Sequence, residues 1–113
     1  MKIAVLLTCF NRCQKTLKAL DSLYKAAEVF NEKDSMKLNL EVFLTDDGCT
    51  DDTSSNVKKA FPDKNITIVE ADGNAFWAGG MRLAWNKALE YHNRIDFYLL
   101  INDDAQFLQT AFD

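Results

Sequence analysis

Two rhythms of apolar and polar positions alternate along this chain, and they predict its elements. Residues 2–8 form an almost unbroken apolar run, as a strand buried on both faces requires. The polar loop Cys9-Phe10-Asn11-Arg12 leads into a helix reaching about Asn31, where Leu20, Leu23, Tyr24 and Ala27 fall on one face. Residues 38–45 predict a second strand. It ends in Asp46-Asp47-Gly48-Cys49-Thr50, where Gly48 permits a tight turn and Thr50 suits the N-cap of a short helix to about Ala60. Pro62-Asp63-Lys64-Asn65 reads as a turn, and residues 66–70 as a short third strand. A loop over 71–80 opens a third helix whose Met81, Ala84, Trp85, Ala88 and Leu89 share one face and read as core. Residues 96–101 make a fourth strand. The order β-α-β-α-β-α-β calls for an α/β fold in three layers: a parallel sheet of about four strands between flanking helices, joined by right-handed crossovers.

In such sheets ligands sit at the C-terminal ends of the strands, and two of those ends are acidic. Leu99-Leu100-Ile101 stops on Asn102-Asp103-Asp104, and Leu44-Thr45 stops on Asp46-Asp47. A carboxylate accepts hydrogen bonds from a ribose hydroxyl or a base imide, but it repels a phosphate unless a divalent cation lies between them. Two acidic strand ends on one rim therefore suggest a nucleotide and metal site, with Asp104 the best ligand and Asp103 beside ribose or behind the ion. The plain alternative is a solvated strand cap. Asp51 and Asp52 read as first-turn acids that complement a helix dipole. In Gly73-Asn74-Ala75-Phe76-Trp77-Ala78-Gly79-Gly80, the paired glycines before a helix would let backbone N–H groups approach an anion, or simply make a flexible turn. Arg82 would face a diphosphate or solvent, and Trp77 would flank a sugar or base or anchor its loop.

Composition narrows the class. The 113 residues are 48% hydrophobic and 27% charged, one globular domain. A net charge of −4 argues against nucleic acid as a partner. Residues 2–7 are too short for a membrane span and no signal-peptide pattern follows, so a cytoplasmic location is expected. The three cysteines, Cys9, Cys13 and Cys49, read as reduced thiols. A zinc site would need partners that Cys9 and Cys13 lack. No G-x-x-x-x-G-K-[ST] or G-x-G-x-x-G loop is present. His92, the single histidine, reads as a surface residue near the end of the third helix.

Taken together, Thr8-Cys9-Phe10-Asn11-Arg12, Asp46-Asp47-Gly48-Cys49-Thr50-Asp51-Asp52-Thr53 and Asn102-Asp103-Asp104 resemble the family 2 glycosyltransferases of GT-A fold. Asn74 to Arg82 is similar to the rhamnosyl- and galactofuranosyltransferase subgroup. The resemblance implies a UDP-, dTDP- or GDP-sugar donor, Mn²⁺ or Mg²⁺ as cofactor, and inverting transfer of the sugar to an acceptor hydroxyl, as in polysaccharide synthesis. It implies nucleotide contacts at Thr8, Asn11, Arg12, Asp46, Asp47, Gly79, Gly80, Arg82 and Asp103, and metal on Asp104 with Asp103. Asn102 stands where the family's Asp-x-Asp signature has its first acid. Family members continue for roughly another hundred residues that carry the acceptor site and the base. The expectation is therefore a donor-binding, Rossmann-like N-terminal half without an evident catalytic base, held at the inner face of a membrane through parts it lacks. Its fourth-strand edge or Phe107-Leu108 tail would pair with another copy. The alternatives are a non-catalytic nucleotide-binding or assembly module of the same fold, and, from another class, a receiver-type signalling domain. The latter expects acids after the first strand, where this chain has Thr8-Cys9-Phe10-Asn11.

Overall fold

A computed structural model describes residues 1–91 and 93–113; the expectation for His92 lies outside them. The elements are β1 (Lys2–Cys9), α1 (Cys13–Lys33), β2 (Asn39–Asp47), α2 (Thr53–Ala60), β3 (Ile66–Ala71), α3 (Phe76–Leu89) and β4 (Phe97–Leu100). The strands form one sheet in the order β3-β2-β1-β4, and every pairing is parallel. β1 and β2 are central. This is the three-layer α/β architecture that the element order requires.

Strand parity decides what each residue faces. Ile3, Val5, Leu7 and Cys9 of β1 and Val42 and Leu44 of β2 pack with Leu20, Leu23, Tyr24 and Val57 of α1 and α2. Ala4, Leu6 and Phe43 point the other way, onto Met81, Ala84 and Ala88 of α3. The α1 face is buried as its periodicity predicts.

The α3 face is not. Trp85 and Leu89 are exposed, and only Met81, Ala84 and Ala88 line the core with Gly80. At Gly80 the helix lies so close to Thr8 of β1 that a Cβ would clash, and beyond Met81 only the small Ala84 and Ala88 are buried against the sheet. Trp85 turns instead towards the sheet edge and stacks on Tyr98 of β4, with centroids 5.3 Å apart and planes 9° from parallel. Among the described residues β4 pairs with β1 alone, and Phe97, Tyr98 and Leu100 are exposed. After it, Phe107 and Phe112 pack against the core while Leu108 stands in solvent. No helix among the described residues is long and apolar enough to cross a membrane.

α3 begins at Phe76, five residues before Met81, so Gly79 and Gly80 lie inside the helix and not in a loop before it. α2 begins at Thr53 with Asp52 as its left-handed N-cap (φ 58°). Thr50 is not that cap: its N–H and hydroxyl donate to Asn11 Oδ1. Nor do Asp51 and Asp52 form the first turn of α2. Asp51 instead caps the other helix, accepting the N–H of Cys13 at 2.9 Å and the hydroxyl of Thr53.

The Thr53 hydroxyl, with the Cys13 N–H, holds the Asp51 carboxyl below its ordinary value. A depressed folded-state pKa contributes stability above the unfolded value, which is lost as pH falls through the folded one. Thermal unfolding between pH 5 and about 2 should therefore show a steeper acid limb for the wild type than for Asp51→Asn. Parallel limbs would contradict the capping role.

Candidate functional site

The C-terminal rim of the sheet carries a cleft of about 540 Å³. Its floor comes from the ends of β1 and β4, as Thr8, Cys9, Asp103 and Asp104, and its walls include Phe10, Arg12, Asp47, Phe76 and Trp77. Of the residues expected to bind ligand, Thr8, Arg12, Asp47, Asp103 and Asp104 meet here. Asn11, Asp46, Gly79, Gly80 and Arg82 do not line it.

Parity separates the two acids of β2. Asp46 follows Val42 and Leu44 onto the α1–α2 side, where it accepts the Cys49 N–H at 2.8 Å and the Ser54 hydroxyl. That carboxylate closes the β2–α2 turn. Asp47 follows Phe43 and Thr45 onto the α3 side, is buried, and accepts three backbone N–H groups. Gly73 (2.9 Å) and Ala75 (3.2 Å) donate to Oδ1, and Phe76 (3.0 Å) donates to Oδ2. Asp47 thus fastens the β3–α3 loop and starts α3 from 29 residues away. Phe76 is held there with φ 57°, a conformation costly for a bulky residue and kept only where surroundings enforce it. The two turns touch at Gly48, whose φ is 72°, where an added Cβ would lie 2.9 Å from the Gly73 backbone.

Asn11 also serves the scaffold. It adopts φ 51° and ties the β1–α1 loop to Thr50 at 2.7 Å. Gly79 spends its N–H on the Ala75 carbonyl (3.0 Å), so it offers none to an anion. Gly80 is buried against Thr8, and Arg82 is exposed outside the cleft. Of the paired glycines only Gly80 serves helix packing, where a Cβ would clash with Thr8, a role invisible without knowing where α3 begins.

What remains free is the acid turn after β4. Asp103 is buried and Asp104 half-exposed, and the half-exposed Arg12 guanidinium reaches both, at 3.5 and 3.6 Å. Burial raises the Asp103 carboxyl above its ordinary value, Asp104 raises it further, and Arg12 opposes both. Asn102 faces the cleft through its side chain, and its Oδ1 accepts the indole N–H of Trp77 at 3.0 Å.

Among the described residues no three His, Cys, Asp or Glu side chains converge as a metal cage. Mg²⁺ and its analogues need none when a ligand's phosphates complete the coordination, since one or two carboxylates then suffice. The hard oxygen donors of Asp104 and Asp103 fit an ion shared in that way. Cys9 Sγ lies 3.6 Å from Cys49 Sγ, and burial pushes the Cys9 thiol far above its usual range.

Residues 4–112 match the model of the glycosyl transferase family 2 domain. The chain belongs to glycosyl transferase family 2. A comparison with curated protein sequences gave no match. Among solved structures, this family 2 chain is similar to a mannosyltransferase from Pyrobaculum calidifontis, PcManGT, in complex with GDP-Man and Mn²⁺. The TM-score is 0.68 at 25% identity, over 93% of this chain and 28% of that one. It is also similar to residues 1–349 of TarS from S. aureus, with a TM-score of 0.64 and 26% identity over 92% of this chain and 28% of that one. A further TarS structure gives 0.62 and 25%, over 92% and 17%. The shared architecture is the Rossmann-like α/β fold of GT-A enzymes. The family 2 chain thus spans little more than a quarter of the length of the first two.

Proposed function

We propose that the cleft binds a nucleotide-diphosphate sugar together with Mn²⁺ or Mg²⁺, as the donor site for inverting transfer of the sugar to an acceptor hydroxyl. The observation that carries this reading is the Asp103-Asp104 turn. Its two adjacent carboxylates are not taken up in fastening another loop, as those of Asp46 and Asp47 are; both lie beside Arg12 and form part of the floor of the cleft. A cation there would take Asp104, with Asp103 behind it, and offset the negative charge that builds on a departing diphosphate. Arg12, already beside both acids, would meet the diphosphate. Thr8 offers a hydroxyl at the end of β1. Asp46, Asp47 and Asn11 act by shaping the two turns around the nucleoside.

Support for a donor of this class comes from family membership and from the neighbour that holds GDP-Man and Mn²⁺. The segment Asn74 to Arg82 resembles rhamnosyl- and galactofuranosyltransferases, so UDP, dTDP and GDP all belong in the test. Calorimetric titration with each, with and without Mn²⁺, should show one nucleotide bound in a metal-dependent way. Asp104→Ala should weaken that binding at least tenfold, because it removes the ion's principal charged ligand. Equal binding by the mutant, or binding indifferent to Mn²⁺, would refute the assignment. Donor hydrolysis with released sugar would separate an enzyme from a binding module of the same fold.

A further inference from the structure

Trp77 is 54% exposed in the first turn of α3, yet its indole N–H donates to Asn102 Oδ1 rather than to solvent alone. Asn102 is exposed too, 25 residues away in sequence, on the turn directly before the two acids. Ordering two exposed side chains costs conformational entropy that one surface hydrogen bond barely offsets. The pair therefore depends on its backbones being set in advance, and both are. Asp47 fixes the start of α3 through Phe76. The Ile101 N–H donates to the Leu6 carbonyl at 3.0 Å, and the Ile101 side chain is buried, which fixes the acid turn.

The identity of residue 102 fits the same picture. An aspartate there would accept the indole N–H equally well but would add a third carboxylate beside Asp103 and Asp104. Asparagine supplies the acceptor oxygen without that charge.

We propose that Asn102 is a positioning residue that latches Trp77 across the cleft, fixing the indole ring as the wall against which the donor's sugar ring lies. The inference rests on the donor-binding reading above. The latch adjoins the acids, hence the diphosphate end of a bound donor and the sugar beyond it. Aromatic faces suit the apolar C–H face of a sugar, and Trp offers the largest such face at the least rotamer cost. Asn102 acts through Trp77 in this arrangement.

The first test needs no ligand. In ¹⁵N-labelled protein, Asn102→Leu should shift the indole N–H resonance of Trp77 and speed its exchange with water, leaving that of Trp85 unchanged. An unmoved Trp77 resonance overturns the latch. The second test compares each nucleoside diphosphate with its sugar form: UDP with UDP-glucose, dTDP with dTDP-glucose, GDP with GDP-mannose, all with Mn²⁺. Trp77→Phe keeps an aromatic ring but loses the N–H, and Asn102→Leu loses the acceptor. Each should weaken nucleotide-sugar binding by about three- to tenfold, the worth of one hydrogen bond, and the double mutant no further. Asn102→Asp, which keeps the acceptor oxygen, should restore the indole resonance. Binding of the bare diphosphate should be unchanged, which a merely structural role would not predict. Equal losses for diphosphate and sugar form, or independent losses that multiply, overturn the proposal while the donor site stands. Failure of the wild type to bind any nucleotide overturns both.

Discussion

Asp47→Ala should lower stability by roughly 3–5 kcal/mol, because one buried carboxylate serves three backbone donors and hydrogen bonds to a charged acceptor are the strong ones. For a domain of this size that is a drop of about 15 °C or more in the unfolding midpoint. Gly73, Ala75 and Phe76 would each lose the acceptor of their N–H, and water would have to enter beside the core to replace it. Asp47→Asn should cost about half as much. Its remaining oxygen can still serve Gly73 and Ala75, which share Oδ1, while its amide turns a donor towards the Phe76 donor. Denaturant unfolding gives the two values, and amide hydrogen exchange at Gly73, Ala75 and Phe76 shows whether the loss is local to the loop. An Asp47→Ala protein within about 1 kcal/mol of wild type would mean that these bonds do not hold the loop.

That same carboxylate explains where the sequence was legible and where it was not. Strand and helix periodicity locate every element, and the apolar run of residues 2–8 implies burial on both faces of β1, which the structure shows over residues 3–7. The position of the rim follows from parallel topology, and the acids after β4 stand out because nothing nearby in sequence uses them. The start of α3 was not legible. Helix-start signals are read within a few residues, whereas Phe76 is capped by a side chain from another strand. The roles of Asp46 and Asp47 were hidden for a related reason: an acid on a strand end looks the same whether it awaits a ligand or binds a loop. One signal was available. Val42, Leu44 and Asp46 share one face and Phe43, Thr45 and Asp47 the other, so the two acids had to have different partners. Periodicity gives the direction of a face but not its width, and so it includes Trp85 and Leu89, which the structure leaves exposed.

The adjacent glycines of α3 should respond to the same substitution with opposite signs. Glycine inside a helix costs up to about 1 kcal/mol relative to alanine, so alanine stabilises wherever its methyl group has room. At Gly79 the added Cβ would meet only the Ala75 methyl, at 3.4 Å, an ordinary contact, and Gly79→Ala should raise stability by a few tenths to about 1 kcal/mol. At Gly80 it would lie 2.6 Å from Thr8 Cβ and closer still to the Thr8 hydroxyl. The helix cannot retreat cheaply, because the Gly80 carbonyl accepts the buried Thr45 hydroxyl at 2.7 Å. Overpacking of this kind costs about 1–3 kcal/mol, and breaking the Thr45 bond adds to it, so Gly80→Ala should destabilise despite its better helix propensity. The effect reaches the cleft as well. Thr8 forms its floor and Phe76 and Trp77 its wall, so a helix pushed off Thr8 carries the wall away from the acids. Gly80→Ala should therefore weaken nucleotide binding as it lowers the unfolding midpoint, whereas Gly79→Ala should leave binding alone. If Gly80→Ala proved as stable as Gly79→Ala, the close seating of α3 on β1 would be refuted, and the geometry of the cleft wall with it.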